Sequence, residues 1–135
     1  MQVLLEQQRF EQALDDLATR IRNDIPTGKP TALVGVLRRG DALARRLAER
    51  LRKAGLDPVQ IGTLDITLYR DDLATKGPEA VVRSTEIPFD VTGRYIVLVD
   101  DVLYPGRTSR AALDALTDLG RPLAIRLAVM VERPG

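Results

Sequence analysis

Two adjacent carboxylates, Asp100 and Asp101, follow an uninterrupted apolar run and precede a short loop that contains glycine. The run, YIVLV, is typical of a strand buried on both faces of a parallel sheet. After the loop, Arg107, Thr108 and Ser109 open an apolar-periodic segment and so predict a helix N-terminus. Backbone N–H groups at a helix N-terminus, with hydroxyls and a guanidinium nearby, suit a phosphate group. Because the carboxylates can hold sugar hydroxyls or a metal-bound ligand, the stretch predicts a phosphorylated-sugar site at the end of a parallel strand.

Each of these features also has a simpler explanation. Acidic residues often end strands because strands end at the protein surface, and Thr108 or Ser109 can cap a helix that binds nothing. Short motifs are weak signals when they are taken one at a time. The complete order of strand, acidic pair, loop and helix start is more specific than any single part. The residues by themselves are compatible with both interpretations, a ligand site and a strand end that binds nothing.

The residue types that are absent narrow the chemistry. The chain has 135 residues with no cysteine and no histidine. This excludes disulfides, thiolate metal sites, a cysteine nucleophile and a histidine base from these residues. Any reaction must use carboxylates, arginines, lysines, hydroxyls and backbone groups. The formal net charge of +1 provides no overall attraction to nucleic acid, so RNA binding needs a local basic patch.

Length and composition indicate one globular domain spanning residues 1–135. Apolar residues make up 44% of the chain and charged residues 29%, which is ordinary for a protein that folds around one core. No apolar run is long enough to cross a bilayer, and the first residues lack the pattern of a signal peptide. The expected location is the cytoplasm.

Helices are predicted where apolar residues recur at helical spacing. The first covers about the first twenty residues and ends at Pro26 and Gly28. The second follows a basic turn at residues 38–41, where Asp41 is placed to cap it, and its arginines are interpreted as a solvated face. A third helix follows the acidic pair and stops at residues 120–122.

Apolar runs rich in β-branched residues predict four strands, at residues 31–37, 60–67, 95–100 and 123–131. Because the strands alternate with helices, the pattern predicts an α/β fold with a mostly parallel sheet, right-handed crossovers and helices on both faces.

A long connection precedes the central strand. Residues 70–92 are polar and include two prolines. We interpret this stretch as a projecting β-hairpin arm with short strands near residues 81–82 and 87–89, because long connections in compact domains often serve as active-site lids.

Two longer segments resemble signatures of a known family. Val99-Asp100-Asp101-Val102-Leu103-Tyr104, followed by Gly106-Arg107-Thr108, resembles the phosphoribosyl-diphosphate (PRPP) signature of type I phosphoribosyltransferases, in the version found in the PyrR family. Residues 62–73, GTLDITLYRDDL, resemble the flexible-arm signature of that family, and shorter matches occur at residues 114–116, 120–122 and 127–129. The PyrR family pairs a pyrimidine-operon attenuator with a uracil phosphoribosyltransferase.

The resemblance implies a type I phosphoribosyltransferase fold and the conversion of uracil and PRPP into UMP and diphosphate. Asp100 and Asp101 would bind the ribose hydroxyls and Arg70 would close over the diphosphate. Mg²⁺ would bind mainly through PRPP, with Asp101 as a possible direct ligand. The residues implied to bind PRPP or nucleotide are Arg38, Arg39, Gly40, Val99, Asp100, Asp101, Val102, Leu103, Tyr104, Pro105, Gly106, Arg107 and Thr108.

The alternative function implied by the same resemblance is a non-catalytic regulator of pyrimidine gene expression, which senses UMP or UTP and binds an mRNA leader. No membrane partner is expected. The two functions predict different behaviour: the enzyme forms UMP in the presence of Mg²⁺, whereas the regulator binds RNA with a marked salt dependence and without turnover.

Several positions depart from the family pattern. Pro105 and Arg38 each stand where the family has a threonine, and Asp15 and Thr19 stand where the best-known members have a threonine and a histidine associated with RNA contact. The sequence ends at Gly135, before the family's basic C-terminal segment and the base-binding hood that it helps to build. Two explanations stay open: the chain is truncated, or it is a PyrR-like protein that has lost part of its site.

A homodimer or larger symmetric assembly is also expected. The first helix and the arm carry apolar residues that a small domain can leave uncovered, namely Phe10, Leu17, Ile66 and Phe89. Members of the resembled family are typically oligomers.

Overall fold

The computed structural model describes residues 2–26, 28–37, 40–56, 59–66, 85–103 and 107–132. Within them, helices and strands alternate as the sequence predicts, except that the strands at residues 59–64 and 95–103 follow one another with no helix among the described residues between them. The elements are α1 (Gln2–Asp24), β1 (Thr31–Val36), α2 (Gly40–Lys53), β2 (Val59–Leu64), β3 (Tyr95–Leu103), α3 (Arg107–Leu119) and β4 (Ala124–Glu132). None of these helices is long and apolar enough to cross a membrane.

The four strands form one sheet in the order β2-β1-β3-β4. Every neighbouring pair runs parallel. All six residues of β1 are buried, which is why its sequence, TALVGV, shows no alternation of polar and apolar residues. The predicted α/β class with a parallel sheet is therefore confirmed.

Successive strand residues face two different apolar cores. In β3, Val97 packs into the core formed with α1 and α2, where Leu47 is fully buried. The next residue, Leu98, packs into the core formed with α3, where Leu116 is fully buried. The sheet is thus covered on both faces, by α1 and α2 on one side and by α3 on the other.

The central strand is longer than the sequence pattern indicates. We expected a strand at residues 95–100, but β3 continues to Leu103. Its pairing with β1 stops at Val99, whereas its pairing with β4 continues through Leu103 and Glu132. The acidic residues extend the strand because β4 still supplies a hydrogen-bonding partner beyond the point where β1 has ended.

Part of the predicted arm belongs to the body of the domain. Thr63 and Glu86 form an antiparallel bridge, with N···O distances of 2.8 and 3.0 Å in the two directions. From there to residue 92 the chain packs against the sheet, and Val91 is buried in the α3 core. The expected strand at residues 87–89 is wrong, because Pro88 supplies no N–H for a ladder. Residues 67–84, including the strand expected at 81–82, lie outside the described part.

The apolar residues expected at a subunit interface are covered within the chain. Ile66 is 2% exposed, and Phe10, Leu17 and Phe89 are half-buried against the two cores. In the described part of the chain, the exposed large apolar side chains are instead leucines of α3, β4 and the turn between them: Leu113, Leu119, Leu123 and Leu127. These four residues did not stand out in the sequence because each fits the apolar pattern of its element. Self-association stays a prediction.

Candidate active site

The chain leaves β1 and β3, the two central strands, in opposite directions along the sheet. From β1 the chain crosses through α2 to β2 on one side, and from β3 it crosses through α3 to β4 on the other side. The two helices also cover opposite faces of the sheet. In open α/β sheets, ligands bind in the crevice at such a switch point, outside the carboxyl ends of the strands. The order of the strands therefore marks the ends of β1 and β3 as the candidate site.

Two glycines bring the start of α2 against β1 and against the end of β3. A Cβ atom at Gly35 would lie 2.5 Å from the Cα of Asp41, so the start of α2 lies closely over β1. A Cβ atom at Gly40 would collide with the carbonyl oxygen of Val99 and would lie 3.4 Å from the Cα of Asp100. Only a residue without a side chain permits this approach. The start of α2 thus lies against the backbone of Val99, next to the first acidic residue of β3.

Asp100 lies at this junction. It is 8% exposed, and by strand alternation it faces the same side as Leu98, the side covered by α3. Its backbone is in register with Val129 of β4. Because α3 follows β3 and begins at Arg107, the positive end of the helix dipole lies at the same end of the sheet, which favours negative charge there.

The predicted site residues divide into three groups. Gly40, Val99 and Asp100 are brought together at the junction of α2 and β3. The backbone of residues 101–103 continues β3, and that of residues 107 and 108 begins α3. The remaining predicted residues, Arg38, Arg39, Arg70, Tyr104, Pro105 and Gly106, lie outside the described part of the chain.

One residue of the junction was missed in the sequence. Gly35 lies in a strand of six buried residues, and its missing side chain lets the start of α2 approach β1 closely. A glycine inside a buried apolar strand often marks close approach of another backbone segment, so the signal was present. A second difference concerns Asp41, which we expected to cap α2 from outside. It lies within the first turn, 3.9 Å from Arg45, because the helix already begins at Gly40.

The described residues contain no group of three or more acidic, histidine or cysteine side chains that could hold a metal ion by themselves. A carboxylate at the crevice suits a different arrangement. Mg²⁺ commonly keeps several waters and binds through one or two carboxylates together with the phosphates of a substrate.

Comparisons with known proteins agree with this geometry. A family model described as the phosphoribosyl transferase domain matches residues 2–135. The bifunctional protein PyrR of Roseiflexus sp. (strain RS-1) is 52% identical over 130 residues, which cover 96% of this chain and 71% of that protein. The protein of the same name from Bacillus subtilis (strain 168) is 47% identical over 133 residues, which cover 97% of this chain and 74% of that protein.

A solved structure has the same fold. The HGPRT-ase from Leishmania tarentolae, in complex with GMP, superposes with a TM-score of 0.70 at 19% identity and covers 95% of this chain and 68% of that chain. The parallel sheet, the helices on its two faces and the crevice between β1 and β3 are those of a type I phosphoribosyltransferase. The chain belongs to the phosphoribosyltransferase family and, within it, to the PyrR proteins.

Proposed function

We propose that this protein transfers the phosphoribosyl group of PRPP to uracil, which yields UMP and diphosphate. The observation that carries the proposal is the junction at the switch point, where Gly40 at the start of α2 lies against Val99 and Asp100 of β3. A ligand in this crevice would meet the turn after β1 on one side and the acidic strand end on the other. This arrangement suits a substrate that carries a diphosphate, a ribose and a second phosphate.

Each part of PRPP has proposed binding residues in this chain. The carboxylates of Asp100 and Asp101 would accept hydrogen bonds from the ribose hydroxyls. The loop of residues 104–108 would bind the 5′-phosphate through its N–H groups and the Thr108 hydroxyl. Residues 38–40 would bind the diphosphate, over which Arg70 would close.

No strong base is needed for this transfer. The transition state is expected to be loose, with positive charge developing on the sugar, so the protein accelerates the reaction by positioning uracil and the sugar and by electrostatic stabilisation. The absence of histidine from the sequence is compatible with this chemistry.

Mg²⁺ fits the crevice as a partner of PRPP. When bound, it would neutralise charge on the departing diphosphate. Asp100 is a hard oxygen donor at the crevice, and we propose Asp101, the next residue of β3, as the more direct ligand.

The transferase is tested by following UMP formation from uracil and PRPP with and without Mg²⁺. We expect turnover in the wild type with Mg²⁺ and none in Asp101→Asn. Asp114→Asn serves as the matched control, because Asp114 is an exposed carboxylate on α3 away from the strand end. If Asp101→Asn retains wild-type turnover, or if the wild type forms no UMP while binding PRPP, the proposed reaction is wrong.

A second function, RNA binding that responds to uridine nucleotides, is supported by a positively charged groove between α1 and α2. The groove is lined by three cationic side chains, Arg22, Arg50 and Lys53, and one acidic side chain, Asp15. Positive charge at a groove is what binding to an RNA backbone requires. This function is tested by the binding of a short single-stranded RNA with and without UMP.

A further inference from the structure

Four charged residues tie α1 to α2. The Nε of Arg50 donates a hydrogen bond to the Oδ1 of Asp15 at 2.7 Å. Both Arg50 and Arg46 also pair through Nη2 with the carboxylate of Glu11, and the guanidinium of Arg46 lies 5.3 Å from the centre of the Phe10 ring. Each acid is on α1 and each arginine on α2, so the cluster joins the two helices.

All three nitrogens of the Arg50 guanidinium are used in these contacts. Nε binds Asp15, Nη2 binds Glu11, and Nη1 donates to the backbone carbonyl of Arg46 at 3.3 Å. The hydrogen bond to Asp15 is the largest of the effects that raise the pKa of Arg50, with Glu11 adding to it and burial opposing it. Arg50 is fully charged at physiological pH, and three of its five N–H donors are already used within the chain.

The groove beside this cluster has a volume of about 340 Å³. Its lining comprises Asp15, Ala18, Thr19, Arg22, Arg50, Leu51, Lys53 and Ala54. In the part of the chain that the structure describes, neither Arg22 nor Lys53 forms an ion pair, whereas Arg50 is held by Asp15. Arg22 and Lys53 can thus bind a phosphate from another molecule without breaking an ion pair among the described residues.

We propose that Asp15 acts as an internal counter-ion that competes with RNA phosphate for Arg50 and so limits the affinity of the groove. A phosphate that binds Arg50 has to displace the 2.7 Å hydrogen bond to Asp15 and then lie beside a carboxylate. The Asp15 side chain is 60% exposed, so a phosphate in the groove can reach the pair. The inference rests on the proposed RNA binding and assigns an affinity-limiting role to a single residue.

Asp15 can be removed without losing the position of Arg50. In Asp15→Asn, Glu11 still pairs with Arg50, and the carbonyl of Arg46 still accepts from it. Exposed ion pairs contribute little to stability, so the variant should remain folded. The groove also lies near the C-terminal end of α2, roughly 15 to 20 Å from Gly40 at 1.5 Å per residue, which separates this effect from the crevice.

The test measures the affinity of a labelled single-stranded RNA by fluorescence anisotropy between about 50 and 200 mM salt. Each phosphate contact to a single strand contributes about −0.7 to the slope of log K against log salt concentration. We expect Asp15→Asn to tighten binding about two- to fivefold at the lowest salt, the size of an exposed ion pair, and to steepen the slope by about 0.7. Asp15→Glu, which keeps the charge, should bind as weakly as the wild type.

Asp16→Asn is the matched control. Asp16 is the next residue on α1 and carries the same charge, but it is bonded to Gln12 and does not line the groove. The change in overall charge is therefore identical, and the control should leave both affinity and slope near the wild-type values. Arg50→Gln in the Asp15→Asn background should remove the gain.

The outcomes separate the two claims. If RNA binds and Asp15→Asn behaves like Asp16→Asn, Arg50 is not under competition and the inference is overturned while RNA binding stands. If neither the wild type nor Asp15→Asn binds RNA, the RNA-binding function and the inference both fail. A gain in Asp15→Asn that survives the loss of Arg50 would also overturn the inference, because the competition would then act elsewhere.

Discussion

Replacing Gly40 with alanine tests whether the contact between α2 and β3 builds the substrate site. The added methyl group would overlap the carbonyl oxygen of Val99 and lie 3.4 Å from the Cα of Asp100. Both neighbours are backbone atoms, so no flexible side chain can yield. The start of α2 or the end of β3 must therefore move by roughly 1 Å to restore a normal contact distance.

The size of the effect follows from that displacement. Inserting a methyl group into a well-packed region costs about 1 to 3 kcal/mol. At roughly 4 °C per kcal/mol for a domain of this size, the Tm should fall by about 4 to 12 °C. The diphosphate of PRPP should lose at least one hydrogen bond to a charged group, worth about 1.5 to 3 kcal/mol, so its affinity should fall about ten- to a hundredfold.

Titration calorimetry with PRPP and with UMP distinguishes a local effect from a general one. UMP has no diphosphate, so Gly40→Ala should weaken UMP binding less than PRPP binding. Gly55→Ala is the matched control, because Gly55 has a φ of 98° but nothing within 4 Å of the added Cβ. Gly55→Ala should lower the free energy of unfolding by about 1 to 2 kcal/mol through backbone strain alone. Because Gly55 lies just beyond the other end of α2, this substitution should not change ligand affinity.

Two results would refute this reasoning. If Gly40→Ala binds PRPP as tightly as the wild type, the turn after β1 does not contact the diphosphate. If Gly40→Ala and Gly55→Ala lose ligand affinity equally at equal loss of stability, the effect comes from general destabilisation and the junction has no special role.

Two further predictions concern the proposed phosphate loop, residues 104–108, and the core. Pro105 supplies no N–H donor, so Pro105→Thr should tighten UMP binding about tenfold, whereas Thr108→Ala should nearly abolish it. Titration calorimetry with UMP measures both effects. Unchanged or weaker binding in Pro105→Thr would mean that the phosphate binds elsewhere. Leu116→Ala should lower the free energy of unfolding by about 2 to 5 kcal/mol in urea denaturation, because Leu116 is fully buried against the sheet. Leu113→Ala, at a position 43% exposed on the same helix, should change it by less than about 1 kcal/mol, and equal losses would contradict the assigned packing.

The elements of this fold could be predicted from short stretches of sequence. The apolar period of α1 and the unbroken run in β1 each lie within one element, and both appear where we expected them. The acidic pair, the glycine-containing loop and the following helix start could also be found from a short stretch, because they occupy the ten consecutive positions 100–109. Hydrophobic periodicity is a local property, so it requires no knowledge of which elements meet.

The tertiary structure decided where elements end and which residues meet. β3 runs to Leu103 because β4, more than twenty residues later, supplies a ladder partner beyond the end of β1. Residues 85–92, which we expected to belong to the arm, pack on the body of the domain because Glu86 pairs with Thr63. Neither contact leaves a periodic signal, since each depends on two segments far apart in the chain.

The charged residues of α1 and α2 also show what the sequence determined and what only the tertiary structure decided. The sequence determined that α2 carries many arginines, and we interpreted them as a solvated face. Packing of α1 against α2 brought Glu11 and Asp15 within reach of Arg46 and Arg50, residues 35 to 39 positions away. The sequence likewise determined that residues 35 and 40 are glycines. Only the fold made glycine necessary there, because it packs the start of α2 against the backbone of β1 and β3, where a Cβ atom would not fit.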